Sequence, residues 1–137
     1  MLGEQLGDFR GKITGQRVLR SDGPVPKFET SAEASGTILG IEATVMATYW
    51  AVLRPDGHLY GECPDQGVVM TKDGDTATYK ASGLGRSTGQ GSAVSFRGAV
   101  YFQTTSQKLA RLNEVALVYE WDVDEHGNGH WQLWAWT

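Results

Sequence analysis

The chain has 137 residues, of which 40% are hydrophobic, 10% aromatic and 20% charged, and its formal net charge is −4. This length fits one domain spanning residues 1–137, and so mild a charge excludes intrinsic disorder. An acidic chain without a basic stripe also argues against nucleic-acid binding, because contacts with phosphates require clustered lysine and arginine.

The sequence predicts neither a membrane-spanning segment nor export to an oxidising compartment. No apolar run approaches the roughly 18 residues of a membrane span, and MLGEQLGDFR lacks the basic start and apolar centre of a signal peptide. The single cysteine, Cys63, cannot form an internal disulfide. We therefore expect a cytoplasmic protein without a membrane partner. Cys63 is interpreted as a small packed residue, with a catalytic thiol as the alternative.

Apolar and polar residues alternate along most of the chain, which is typical of half-buried β-strands. No segment keeps a helical period for about ten residues. The alternation predicts eight strands, near residues 7–20, 26–38, 41–54, 58–71, 75–86, 92–105, 114–124 and 128–137.

Three turns share one residue pattern. RPDGH (54–58), TKDGD (71–75) and DEHGN (124–128) each place glycine fourth, which is typical of a three-residue hairpin loop with a left-handed glycine. Consecutive hairpins form a meander, and a soluble meander of this length hides its edges by closing. The sequence therefore predicts an all-β fold, an eight-stranded antiparallel up-and-down barrel whose first strand pairs with its last.

The segment GLGRSTGQGS (83–92) is similar to phosphate-binding loops in its high glycine content. It lacks the spacing of a P-loop or a dinucleotide fingerprint, and no helix follows it. Bulges and a turn are therefore expected there.

The hairpin turns also predict which residues lie opposite one another and hence share a face of the sheet. Counting outward from the turns at 54–58 and 124–128 gives two apolar faces. Their pairs are Leu53–Leu59, Ala51–Gly61, Tyr49–Cys63, Trp121–Trp131, Tyr119–Leu133 and Leu117–Ala135.

Placing the apolar faces inward is energetically favoured, because each buried large apolar side chain contributes about 1.5–3 kcal/mol. The predicted lumen is lined by Tyr49, Leu53, Phe96, Phe102, Leu117, Tyr119, Trp121, Trp131 and Leu133. The outer face then carries Met46, Trp50, Val52, Tyr60, Val118, Trp134 and Trp136. Because monomers seldom expose so much apolar surface, we expect a homo-oligomer, either a dimer or a trimer.

The opposite orientation is the alternative. It would enclose Glu62, Arg97 and Glu120 in an aromatic pocket, where a carboxylate with a raised pKa can act as a general acid or base. The preferred interpretation places these charges on a solvated or interfacial face.

Residues 106–113 break the strand period and predict one short helical turn. Ser106 is the candidate cap, and Leu109 and Leu112 fall on one side of the turn. The two leucines are expected to plug one end of the barrel, with a movable lid as the alternative.

The segments TYWAVLRPDGHLYGE, TKDGDTATYKASGLGR, SFRGAVYFQT and SQKLARLNEVALVYEWDVDEHGN resemble a family of uncharacterised bacterial and archaeal proteins of about this length. More distantly, the glycine-punctuated meander is similar to allene oxide cyclase, dirigent and lipocalin-like barrels. That resemblance implies binding of small apolar molecules, or their cyclisation or isomerisation without a cofactor, often by an oligomer.

These observations together predict a barrel that binds a small apolar or aromatic molecule. The ligand-lining candidates are Tyr49, Tyr79, Phe96, Phe102, Tyr119, Trp121, Trp131 and Leu133. Tyr49, Tyr79 and Tyr119 would supply hydroxyls that orient the ligand. The alternatives are a cofactor-independent cyclase or isomerase and a structural oligomer with a filled barrel. We expect no cofactor. We also expect no metal, because the histidines near the turns match no zinc or calcium spacing. No nucleophile elbow marks a catalytic serine.

Overall fold

The computed structural model describes residues 2–137, and its eight antiparallel strands follow one another around a closed barrel. The first strand pairs with the last, as predicted. The strands are β1 (Leu2–Leu19), β2 (Lys27–Ile38), β3 (Ile41–Leu53), β4 (Leu59–Thr71), β5 (Thr76–Ser87), β6 (Val94–Gln103), β7 (Leu117–Val123) and β8 (Asn128–Trp136).

The three predicted hairpin turns are confirmed. Gly57, Gly74 and Gly127 have φ angles of +90°, +89° and +86°. A side chain is strained in that region, which explains the glycine in each turn. A fourth tight turn joins β2 to β3 through Leu39 and Gly40, with φ angles of 52° and 76°.

Strand register follows the prediction except at one place. Five of the six predicted pairs form, including Trp121–Trp131 and Leu53–Leu59. The predicted ladder pair Tyr49–Cys63 is wrong, because regular pairing of β3 with β4 stops at Trp50–Glu62 and resumes at Ala47–Gly67.

The irregularity lies in β4. Between the two pairs, β4 advances five residues while β3 advances three. Pro64 has no N–H to donate and Asp65 has a φ of 57°, so this part of β4 bulges. Because the excess is two residues, side chains on either side of the bulge keep the same facing.

The first strand is longer than predicted. It begins at Leu2, although the sequence predicts a start near residue 7. The extra residues pair with the end of β8 through two register shifts, between Leu2 and Gln5 and between Gln5 and Gly7. These shifts break the alternation that marks a strand in sequence.

The helical turn is a 3₁₀ helix, Ala110–Asn113, which lies within the predicted segment 106–113. Leu109 and Leu112 are almost fully buried, at 0% and 1% exposure, as a plug requires. The predicted capping role of Ser106 is wrong: Leu109 is the N-cap, and no side chain caps the turn. Ser106 Oγ instead donates to Asp75 Oδ1 at 3.0 Å, which ties the segment to the adjacent β4–β5 turn.

The apolar faces point inward, as predicted. Trp121 and Trp131 are buried, whereas Trp136 is 62% exposed. Leu53 lies on the inner face near an open end of the barrel and is 37% exposed. In the described part of the chain, no helix has both the length and the apolar character to cross a bilayer.

Candidate functional site

A cavity of about 70 Å³ lies within the barrel, in a pocket partly open to solvent. Its large walls are aromatic: Tyr49, Tyr79, Phe96, Tyr119, Trp121 and Trp131. Trp131 is central, with ring centroids 5.0 Å from Tyr79 and 6.5 Å from Tyr119. The aromatic lining favours apolar, planar ligand surfaces.

The cavity exists because the inner face of the barrel is uneven. Most of the large aromatic rings come from β5–β8. The facing wall, from β2–β4, carries small or medium side chains, chiefly Ala32, Ala34, Val45, Ala47, Gly61 and Cys63. Alternation fixes which residues face inward, and their unequal volumes leave a space that the rings do not fill.

Two inward glycines make room for aromatic side chains. A β-carbon added to Gly67 would lie 2.1 Å from Tyr79 Cζ, and one added to Gly83 would lie 2.3 Å from Tyr119 Oη. Both distances are far below van der Waals contact. The absence of a side chain at Gly67 and Gly83 therefore leaves the space that the Tyr79 and Tyr119 side chains occupy.

Tyr49 is held by a hydrogen bond at the cavity wall. Trp121 Nε1 donates to Tyr49 Oη at 3.0 Å, and Thr30 acts with Trp121 to lower the pKa of Tyr49. Gln16 Nε2 donates to Thr30 Oγ1 at 3.2 Å. Burial raises the pKa of Tyr49, and Trp121 and Thr30 only partly offset it. Tyr49 is thus fixed and neutral at physiological pH.

Tyr79 and Tyr119 differ from Tyr49, because neither hydroxyl bonds to another group in residues 2–137. Every fully enclosed side-chain nitrogen or oxygen in that range does have a partner. Both hydroxyls are therefore reachable from the cavity that their residues line. Burial raises the pKa of each phenol, so each remains a neutral donor at physiological pH.

Cys63 also lines the cavity. Its Sγ donates to the backbone oxygen of Thr48 at 3.5 Å, and burial raises the thiol pKa to about 11. Because the thiolate is the nucleophilic form, a thiol protonated at neutral pH is a poor nucleophile. The site supports the packed-residue interpretation of Cys63.

Six of the eight ligand-lining candidates border the cavity: Tyr49, Tyr79, Phe96, Tyr119, Trp121 and Trp131. Phe102 and Leu133 are buried but lie outside its lining. Phe102 packs against Tyr79, with ring centroids 5.2 Å apart. The small residues of the facing wall were missed, although their inward positions follow from the same alternation that located the aromatic residues.

Glu62, Arg97 and Glu120 lie on the outer face. Glu62 accepts a 2.5 Å hydrogen bond from the Tyr60 hydroxyl, and Arg97 pairs with Glu120 at 3.7 Å and with Asp122 at 2.9 Å. Burial acts to raise the pKa of Asp122, but hydrogen bonds from Arg97 and Ser95 outweigh it and hold the pKa below its usual value. Arg97 and Glu120 therefore lie outside the aromatic cavity, whereas Glu62, like Glu33, borders it, with the Glu62 carboxylate bonded to Tyr60.

The serine, aspartate and histidine side chains of the outer face do not form a nucleophilic relay. Ser95 Oγ donates to Asp122, whereas His130 Nε2 lies 2.7 Å from Asp8 Oδ1. In a Ser-His-Asp triad the serine hydroxyl is hydrogen-bonded to the histidine, and Ser95 and His130 have other partners. Within residues 2–137, no three histidine, cysteine, aspartate or glutamate side chains are grouped as metal ligands.

Comparisons with known proteins show the fold. No protein-family model matches the chain, and no curated protein sequence matches it. A protein of unknown function from Clostridium acetobutylicum is similar, at 14% identity over 100% of both chains with a TM-score of 0.83.

Two further solved structures are similar. A conserved protein of unknown function from Rhodopseudomonas palustris has 13% identity, covering 98% of this chain and 97% of its own, with a TM-score of 0.80. A β-barrel-like protein from Acinetobacter baumannii has 13% identity over 98% of this chain and 94% of its own, with a TM-score of 0.78. The shared feature is the β-barrel architecture.

Proposed function

We propose that this protein binds a small, neutral, largely apolar molecule inside the barrel. The cavity between the aromatic wall and the small-residue wall carries the proposal. Its lining is mostly apolar apart from Glu33 and Glu62, and its phenols and thiol hold their protons at neutral pH. The lining holds no cationic side chain, so an anionic ligand would lose its hydration without gaining a counter-charge.

The cavity also limits the size of the ligand. An engineered cavity of about 150 Å³ takes up benzene, and the cavity here is about 70 Å³. A ligand that lies wholly inside therefore has only a few non-hydrogen atoms. A larger ligand would leave part of itself at the open side of the pocket or displace side chains of the small-residue wall.

Tryptophan fluorescence tests binding directly, because Trp121 and Trp131 border the cavity. Titration with small neutral hydrocarbons, ketones and aromatic compounds is expected to change emission saturably. Ala47→Leu, which adds volume inside the cavity, should abolish the response. Ala99→Leu is the matched control, because Ala99 lies outside the cavity lining and pairs with Val118 on the outer face.

The outcomes separate binding from a filled structural barrel. Saturable binding that is lost in Ala47→Leu and kept in Ala99→Leu supports the proposal. Indifference of the wild type to the whole panel, or equal binding by Ala47→Leu, would favour the structural interpretation. Circular dichroism of each variant checks that the fold is retained.

The second candidate is a cofactor-independent cyclase or isomerase, the activity implied by the likeness to allene oxide cyclase and dirigent barrels. The free Tyr79 and Tyr119 hydroxyls favour it, because a phenol can donate a hydrogen bond to a developing oxyanion. Two carboxylate residues border the cavity, Glu33 and Glu62, and the Glu62 carboxylate is engaged by the Tyr60 hydroxyl. Turnover that survives in both Tyr79→Phe and Tyr119→Phe would exclude this mechanism.

A further inference from the structure

The hydrogen-bonding state of the cavity phenols narrows the chemistry of the ligand. Tyr49 is occupied by Trp121. Tyr79 and Tyr119 line the same cavity and hydrogen-bond to no group in residues 2–137. The site therefore offers two free phenolic donors within a mostly apolar wall.

Tyr79 is the more constrained of the two. Its side chain is only 6% exposed, and its ring packs between Trp131 at 5.0 Å and Phe102 at 5.2 Å. Gly67 allows this position, because any β-carbon there would overlap the ring. The hydroxyl cannot turn to bulk solvent without moving several packed rings, so whatever satisfies it must enter the cavity.

Because every fully enclosed side-chain oxygen in residues 2–137 has a partner, the Tyr79 hydroxyl is reachable from the cavity, and such a group is normally satisfied by water or by a ligand. The missing partner is an acceptor, since a phenol at neutral pH always has a proton to donate. A carbonyl oxygen fits best, because its two lone pairs accept from one or both phenols while the rest of a ketone remains apolar.

We propose that the ligand is a small neutral carbonyl compound whose oxygen accepts a hydrogen bond from Tyr79, with Tyr119 as a second donor. This inference rests on the proposed binding function and specifies its ligand class. Trp131 and Phe96 contact the hydrocarbon part, and the small-residue wall of β2–β4 limits its size.

The test compares ligands of equal shape that differ only in the acceptor. Acetone is compared with isobutene, and cyclopentanone with methylenecyclopentane, by tryptophan fluorescence on the intact protein. Because ketones and alkenes also differ in the cost of leaving water, the readout is the ratio of ketone affinity to alkene affinity, which is expected to fall about tenfold when the phenolic hydroxyl is removed. Cyclopentanol is a third probe, since it can donate as well as accept.

Tyr79→Phe removes only the hydroxyl, and should lower ketone affinity about tenfold while leaving alkene affinity unchanged. Tyr101→Phe is the matched control, because Tyr101 is 52% exposed on the outer face. Infrared spectroscopy of carbonyl-labelled cyclopentanone gives a direct readout. Its C=O stretch should lie at lower frequency when the ketone is bound to the wild type than when it is bound to Tyr79→Phe.

Different results would contradict the carbonyl ligand and the binding function itself. A ratio of ketone affinity to alkene affinity that is unchanged in both Tyr79→Phe and Tyr119→Phe would overturn the carbonyl assignment and leave ordered water as the partner of the phenols. Tighter binding of cyclopentanol than of cyclopentanone would also overturn it. Absence of binding by every probe would overturn the binding function itself.

Discussion

Tyr79 and Gly67 are directly paired across β4 and β5, and the tyrosine ring covers the position that a β-carbon of residue 67 would occupy. This relationship sets the position of the cavity's most buried phenol. It also shows why an inward glycine in a barrel strand can be required for packing although it has no side chain of its own.

Gly67→Ala should destabilise the fold, because its β-carbon would lie 2.1 Å from Tyr79 Cζ. Overpacking of this kind costs about 1–3 kcal/mol in free energy of unfolding. Gly15→Ala is the control, since no atom lies within 4 Å of its added β-carbon. Urea unfolding of both variants checks this. Equal stability of the two would show that Tyr79 relocates without cost.

Leu112→Ala should lower the free energy of unfolding by about 2–5 kcal/mol, the usual effect of truncating a fully buried leucine. Leu112 is 1% exposed and belongs to the buried core. Val18→Ala is the control: Val18 is 73% exposed, so its truncation should change stability by less than about 0.5 kcal/mol. A similarly small effect at Leu112 would favour a movable lid instead of a structural plug.

Stability should decline in alkali. The Cys63 thiol has its pKa raised by burial from 9.0 to about 11, so between these values the folded chain keeps a proton that the unfolded chain has lost. The free energy of unfolding therefore falls as pH rises. The stabilisation is complete below pH 9.0 and lost by about pH 11, at most roughly 3 kcal/mol. The phenols Tyr49, Tyr79 and Tyr119 act in the same direction at higher pH.

Chemical denaturation across this range, on the wild type and on Cys63→Ala, measures the contribution of the thiol. The free energy of unfolding of the variant should fall less steeply between about pH 9 and pH 11. The packing that the variant loses lowers this free energy equally at every pH and so does not change the slope. Parallel curves for the two proteins would show that Cys63 titrates normally in the folded chain.

We predict self-association, as a dimer or trimer, through the apolar outer face. Met46, Leu84 and Trp136 are 54%, 55% and 62% exposed, and Leu84 borders an outer groove together with Val118 and Trp134. Sedimentation velocity at micromolar concentration should show the oligomer. Leu84→Glu should weaken it, while Val18→Glu, at a site 73% exposed and outside that groove, should not. A strictly monomeric wild type would contradict the prediction.

Much of the fold could be predicted from local sequence. Alternation located the strands, and the aspartate-glycine and histidine-glycine turns set the pairing of their flanking strands, so that Trp121 was placed opposite Trp131 and both were directed inward. The β4 bulge escaped prediction because Pro64 and Asp65 interrupt the ladder without changing which side chains face inward. The Ser106 cap failed because its hydroxyl bonds instead to Asp75, which is distant in sequence.

The sequence by itself determined strand order and sheet facing, since both follow from a period of two and from turn residues that act over a few positions. Only the tertiary structure decided that a cavity remains and which phenols are free within it. Its volume depends on residues from several strands, such as Ala47 and Trp131, meeting across the barrel. The hydrogen bond that occupies Tyr49 joins it to Trp121, 72 positions away. Close packing between distant strands is a property of the whole closed sheet, and no local pattern contains it.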